Sequence, residues 1–297
     1  MFIKNIKCKI CKREGVNVLK LKYSDKKILD FFSQEYDKKT SILLKKIIGN
    51  RNFELQKCIK CDFIWQTYTP NKIFYKNIYD QIINPNLSLD KAHKIKTYQK
   101  ENYKREIIFF QNFCDNKKMK VLDFGAGWGT WLLAIKDFCP NIFATELSLH
   151  RKKYLKKKNI KIINEKKLDD YKNFFDVIRL EQVLEHVDLL DDILRMLKKM
   201  LKKRGMISIG VPDGRFEIKK NIFKIKKGPI QPLEHLNCFN NKSLKLLFKK
   251  NGFESISLIK ILLLFLKNKK INFQNIKFFI IMIKNSILST KINFIKN

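Results

Sequence analysis

The sequence predicts an α/β protein: a mainly parallel sheet of seven strands flanked by helices, preceded by a small cysteine-bearing unit. Three observations carry that expectation. From Met119 onward, short apolar runs alternate with amphipathic segments, which implies strands covered by helices on both faces. A glycine-rich turn, Gly125-Ala126-Gly127-Trp128-Gly129, follows the first of these runs. Two Cys-x-x-Cys pairs, Cys8/Cys11 and Cys58/Cys61, stand near the beginning.

Taken in order, the chain is expected to divide at 1–70 (the cysteine unit, with a helical insertion), 71–118 (a helical linker), 119–260 (the main domain) and 261–297 (an extension). Apolar spacing at Tyr103, Ile107, Ile108 and Phe110 predicts a helix over about 96–113. Strands are expected at 120–124, 142–146, 160–163, 174–180 and 206–211, with helices at 130–138, 149–158 and 189–202 between them. Leu190, Ile193, Leu194, Leu197 and Leu201 form one apolar stripe on the last of these helices. A helix at 243–250, a turn at Asn251–Gly252 and a strand at 253–259 complete the domain.

Charge narrows the partners. The chain has 297 residues and a formal net charge of +35. Only eight of its 63 basic residues are Arg, and Lys is spread from end to end. Phosphate-reading surfaces favour the planar fork of Arg, so the balance reads as compositional bias and no specific nucleic-acid partner is expected. The first residues hold no uninterrupted apolar run of a secretory signal. Ile261–Leu266 and Phe278–Ile283 are far shorter than the about 20 residues of a membrane span. A cytoplasmic location is expected, with the lysine-interleaved tail covering the sheet or touching a membrane surface. In that compartment thiols stay reduced, and paired cysteines point to metal before disulfide.

The glycine turn separates two kinds of cofactor. Glycines there allow positive φ and leave room for a ligand against the backbone, while the following helix start offers N–H groups. The spacing is GxGxG, not the GxGxxG of dinucleotide loops, and Asp123 stands at the strand end. A pyrophosphate has no use for a carboxylate there. The ammonium at the amino-acid end of S-adenosylmethionine does. Glu146 follows Gly125 by 21 residues and closes the next strand, the place from which a carboxylate accepts both ribose hydroxyls in a Rossmann-like site. Glu146 serves NAD and S-adenosylmethionine alike, so it establishes a nucleoside only. An ordinary strand–helix turn is the competing reading; the combination of Asp123, Glu146 and the alternating pattern outweighs it.

VLDFGAGWGTW (121–131), FATEL (143–147), FFDVIRLEQVLEHV (174–187) and RGMISIGVPD (204–213) resemble successive motifs of class I S-adenosylmethionine-dependent methyltransferases. EHLNCF (234–239) and LKLLFKKNGFE (244–254) are similar to the end of that domain. The resemblance spans about residues 119–260. It implies that Asp123, Gly125, Ala126, Gly127 and Glu146 hold the cofactor. It also implies that Leu168 and Asp169 flank the adenine and that Glu181 and Gln182 line the methionine end.

Thiolates at Cys-x-x-Cys spacing converge on one tetrahedral ion, and Cys8, Cys11, Cys58 and Cys61 make a Cys₄ zinc set. The 46 residues between the pairs exceed the about 15–20 of compact ribbons and call for an inserted helical segment around Leu29–Phe32 and Ile42–Ile48. A redox Cys-x-x-Cys and unrelated cysteines are the rival readings; neither pair opens a helix after a strand. The arrangement resembles the N-terminal ribbon of a methyltransferase subgroup that includes deoxysugar C-methyltransferases. Cys114, Cys139 and Cys238 are expected to be core thiols.

Methyl transfer needs an aligned acceptor and, for a hydroxyl, a group to take its proton. His186, at the expected start of the helix after the fourth strand, and His235, in the loop after the fifth, are the candidates, each preceded by Glu (Glu185, Glu234). In the sugar enzymes that the chain resembles, a Glu-His pair in the later loop does acid/base chemistry, which implies Glu234 and His235. Packing of that loop and bracing of the helix are the structural alternatives. The large extra domain of the sugar C-methyltransferases has no counterpart in this sequence, so O-methylation of a sugar, a glycan or another small metabolite stands equally. An RNA methyltransferase with a zinc module and a non-catalytic cofactor-binding assembly protein are the other function classes.

Overall fold

A computed structural model of the chain describes residues 2–70, 85–94, 97–220, 223, 225, 228–257, 259 and 290–296. The chain forms two units. One gathers Met1–Asn84, Leu184–Leu190 and Val211–Leu247; the other gathers Pro85–Val183, Asp191–Gly210 and Phe248–Asn297.

The described strands are β1 (Phe2–Lys4), β2 (Val16–Lys22), β3 (Asn52–Lys57), β4 (Ile64–Gln66), β5 (Tyr68–Pro70), β6 (Val121–Phe124) and β7 (Ile142–Thr145). Further along come β8 (Lys161–Ile162), β9 (Phe175–Glu181), β10 (Leu201–Val211), β11 (Asn237–Cys238), β12 (Phe253–Ser255) and β13 (Thr290–Lys296). The helices are α1 (Lys26–Glu35), α2 (Lys38–Ile48), α3 (Pro85–His93), α4 (Thr97–Cys114), α5 (Thr130–Ile135), α6 (Leu149–Lys157), α7 (Leu190–Met200), α8 (Arg215–Lys220) and α9 (Asn241–Lys250).

In the first unit, β11, β4, β3 and β2 form an antiparallel sheet in that order, and β1 pairs with β5. The helical insertion expected between the cysteine pairs is α1 and α2. Asp25 and Asp37 start them, each carboxylate accepting a backbone N–H from the first turn (Lys27 at 2.8 Å, Thr40 at 2.7 Å). Their inner faces bury Ile28, Phe31, Phe32, Leu44 and Ile48 against Tyr23, Phe53 and Leu55 of the sheet. Burying an aromatic or aliphatic side chain fully contributes about 1.5–3 kcal/mol, so this face contributes substantially to holding the helices on the sheet.

The second unit holds the seven-stranded sheet, ordered β12-β13-β10-β9-β6-β7-β8. Its central registers are parallel: Val121 of β6 lies opposite Ile142 of β7 on one side and Val177 of β9 on the other. The chain runs outward from β6 through β7 to β8, then returns to β9 and continues to β10. The order therefore reverses between β6 and β9, and it is at the carboxyl ends of strands flanking such a switch point that ligands bind in open α/β sheets. Val121, Leu122, Val177, Ile178 and Met206 are fully buried, and Trp131, Leu132 and Ile135 of α5 and Ile107, Phe109 and Phe110 of α4 pack with Val121, Val177 and Met206 on one face.

Two features depart from the sequence pattern. The apolar stripe ends one residue early: α7 stops at Met200, and Leu201 already pairs with Phe175 of β9. The pairing slips before Met206, where Arg204 adopts a φ of 60°. The tail contributes a strand: β13 pairs antiparallel with β12, and Phe294 stacks on Phe248 at 4.0 Å. Among the described residues no helix is long and apolar enough to cross a membrane. Ile261–Leu266 and Phe278–Ile283 lie outside the described residues.

Candidate functional site

The turn after β6 is built as the glycines require. Gly125, Gly127 and Gly129 have φ of +75°, +58° and +66°, the left-handed region closed to most side chains. The Gly125 N–H donates to Thr145 Oγ1 at 3.0 Å, and the Ala126 N–H donates to the Thr145 carbonyl at 2.9 Å, so the turn is pinned to the end of β7. A methyl group added at Gly127 would meet nothing within 4 Å. That face of the turn is open space.

Three acidic residues mark the carboxyl ends of adjacent strands: Asp123 on β6, Glu146 just past β7 and Glu181 on β9. Glu146 is buried, and its Oε1 accepts the N–H groups of Leu147 (2.8 Å) and Ser148 (2.9 Å). Its Oε2 faces Arg151 Nη1 at 3.8 Å. Asp123 and Glu181 converge on a buried arginine that sequence reasoning passed over. Arg179 of β9 donates through Nη1 to Asp123 Oδ1 (3.3 Å) and through Nη2 to Glu181 Oε2 (3.1 Å). Its Nε lies 3.5 Å from Glu106 Oε2 of α4, and the guanidinium sits 4.8 Å from the Trp131 ring centre. Burial opposes the charge on Arg179, but Glu181, Asp123 and Glu106 outweigh it and raise its pKa. Burial pushes the Asp123 carboxyl up to about 6, against the pull of Arg179. Gly210 lies against this cluster, and a methyl added there would press on the Glu181 carboxylate.

Leu168 and Asp169 lie in the 3₁₀ segment Glu165–Tyr171 after β8, Leu168 half-buried and Asp169 exposed. Gln182 has a φ of 56°, and its N–H donates to Gly210 at 2.8 Å.

The histidines belong to the other unit. His186 ends the 3₁₀ turn Leu184–His186 and does not begin a helix; α7 starts at Leu190. The reason is Asn237, whose amide donates to the carbonyls of Leu184 (2.9 Å) and Val187 (2.6 Å) and holds this stretch out of α-helical pairing. The later loop is tied down too. Gln66 Nε2 donates to the carbonyls of Gln231 (2.6 Å) and His235 (2.9 Å), and Leu233 is held at a φ of 68°. The two rings meet edge to face with centroids 4.8 Å apart. Burial depresses both imidazoles, His186 to about 4 and, with His186 beside it, His235 to about 3, so both are neutral near pH 7. Tyr36 donates to Glu234, whose carboxyl burial raises.

The four cysteines come together. Cys8 Sγ lies 3.5 Å from Cys61 Sγ and Cys11 Sγ 3.4 Å from Cys58 Sγ, with all four sulfurs within 4.8 Å of one another. Those separations exceed a disulfide of about 2.05 Å and match a Cys₄ cage, where Zn–S bonds of about 2.3 Å set the sulfurs just under 4 Å apart. The two turns repeat each other. The N–H of each first cysteine donates to the carbonyl five residues on (Arg13, Phe63), and the residue after each second cysteine (Lys12, Asp62) has positive φ and donates its N–H back to the first cysteine's carbonyl at 2.9 Å.

A methyltransferase-domain family model matches residues 95–258, more than half of the chain. The chain belongs to that methyltransferase family. An uncharacterized protein of Methanocaldococcus jannaschii is 30% identical over 167 residues, which cover 54% of this chain and 72% of the relative. Among solved structures, a SAM-dependent methyltransferase from Archaeoglobus fulgidus aligns at 17% identity with a TM-score of 0.41, over 76% of this chain and 100% of that one. The YcgJ protein of Bacillus subtilis aligns at 13% identity and a TM-score of 0.42, over 65% and 98%.

The protein is thus an S-adenosylmethionine-dependent methyltransferase, and the residues of its sheet unit fit that cofactor. The open face at Gly127 leaves room for it. Three carboxylates against one guanidinium leave an excess of negative charge at the switch point, which suits a ligand carrying ammonium and sulfonium charges. Arg179 and Glu106 escaped sequence reasoning because an Arg within a strand and a Glu on a polar helix look solvent-facing. Tyr36 gave no signal either, standing 198 residues from its partner Glu234.

Proposed function

We propose that this methyltransferase methylates a hydroxyl or acidic carbon of a sugar, a glycan or another small metabolite, with Cys8, Cys11, Cys58 and Cys61 holding a structural zinc ion. S-adenosylmethionine supplies a methyl group already activated on sulfur. Glu146 Oε2 takes the ribose hydroxyls. Asp123 keeps Oδ1 on Arg179 and turns Oδ2 to the ammonium, directly or through water. Leu168 and Asp169 flank the adenine; Glu181 and Gln182 line the methionine end. The excess of carboxylates favours the sulfonium over the neutral thioether left after transfer, which promotes product release.

His235, His186 and Glu234 handle the acceptor's proton. The single observation that carries this assignment is the gathering of two neutral imidazoles and a Tyr-bonded glutamate in one unit. Imidazoles depressed this far are neutral at pH 7 and so can take a proton, as weak bases.

A screen of methyl transfer from radiolabelled cofactor tests the reading. Sugar nucleotides and small hydroxylated metabolites are expected to take label, and His235→Ala to lower turnover while cofactor affinity holds. Transfer to RNA alone, with binding that weakens steeply as salt rises, would overturn it.

A further inference from the structure

The fully buried carboxylate beside the two histidines has no part in the proton handling just described. Glu185 is 0% exposed. One of its oxygens and one nitrogen from each of His186 and His235 lie within 4.8 Å of one another, and the Glu185 Oε1 to His186 Nε2 distance is 3.9 Å. Three atoms no farther apart than that share a centre within about 2.8 Å of each, so side-chain shifts of under 1 Å bring all three to the about 2.0–2.2 Å of metal–ligand bonds.

The rings are already oriented for this. A carbonyl can only accept, so the 3.0 Å contact between His186 Nδ1 and the Glu234 carbonyl makes Nδ1 the protonated nitrogen. The 3.2 Å contact between His235 Nδ1 and the Pro229 carbonyl does the same for the second ring. Both Nε2 atoms then carry lone pairs. Donation of Nδ1–H to a backbone carbonyl is the arrangement that fixes tautomer and orientation in metal-bound histidines. Asn237 and Gln66 hold the two loops that carry these rings.

We propose that Glu185, His186 and His235 form a second metal site, distinct from the cysteine cage, for a borderline divalent transition ion such as Zn²⁺ or Fe²⁺. Two imidazoles and one carboxylate match the ligand preferences of those ions, whereas Mg²⁺ and Ca²⁺ favour all-oxygen donors. Three protein ligands leave positions for water or acceptor oxygens. The site rests on the functional reading above and alters one part of it: an ion held there would lower the pKa of an acceptor hydroxyl, and with both imidazoles serving as ligands the proton would be left to Glu234.

The test is a titration of the full-length protein, its cysteine site filled, with Co²⁺ alone. It is followed by visible absorption and by the metal content of the desalted protein. The wild type is expected to gain weak ligand-field bands without thiolate-to-cobalt charge transfer. Glu185→Gln and His235→Asn, shown folded by circular dichroism, are expected to lose them. A wild type with no thiolate-free cobalt signal overturns the site, and so do folded variants that keep it; the wild-type titration decides if a variant fails to fold. Metal content is the readout, so a protein that binds the ion but methylates no small acceptor contradicts the functional proposal and not this one.

Discussion

Arg179→Met is expected to destabilise the sheet unit by about 3–5 kcal/mol, the cost of leaving buried charge without its partner. The substitution keeps length and apolar contact with Trp131 but leaves Asp123, Glu106 and Glu181 facing one another without a cation. Arg179→Lys keeps the charge and loses the fork, so it should fall between the two. Denaturant unfolding measures the effect, and Glu106→Gln in the Arg179→Met background should recover part of it. A loss under about 1 kcal/mol, the value of an exposed pair, would show that the cluster is not a desolvated network.

Removal of the metal proposed for the four cysteines is the second large effect. Structural zinc brings an apparent binding free energy on the order of 10 kcal/mol to folding, and it would tie the turn between β1 and β2 to the turn between β3 and β4. Cys58→Ser, or thiol modification in the presence of a chelator, should release one zinc ion per chain and lower the melting temperature by many degrees. The α1–α2 face, with its own core of Phe31, Phe32 and Leu44, should keep helical signal in the far ultraviolet. A protein that holds no zinc and melts unchanged under chelator would remove the metal assignment.

The strands β6 to β10 were legible because parallel strands buried on both faces are continuous apolar runs, and each helix between them carried a stripe. Asp123 and Glu146 were legible because their place at strand ends, relative to the glycine turn, is itself the signal. What was not legible depends on distance along the chain. The first unit takes in Leu184–Leu190 and Val211–Leu247, and only the folded contacts of Asn237 and Gln66 reveal why. Glu185 is in sequence only the residue before a histidine; its complete burial is a tertiary fact. β13 is a short alternating segment whose register with β12 is set by Phe294 meeting Phe248, a pairing no local pattern announces.

Calorimetry of S-adenosylmethionine binding tests the central claim that the cofactor lies against the turn after β6. Glu146→Ala should weaken binding by about 100-fold or more, since two charge-assisted hydrogen bonds at about 1.5–3 kcal/mol each are lost. The pH dependence of the wild type adds a second reading. With the Asp123 pKa raised from 3.8 to about 6, the unliganded fold loses stability as pH rises through about 6. The ammonium binds the carboxylate form, so affinity should be full above about 6 and fall below it. Asp123→Asn should bind more weakly and flatten that dependence. Wild-type affinity in both variants, with no change across pH 5 to 7, would place the cofactor elsewhere.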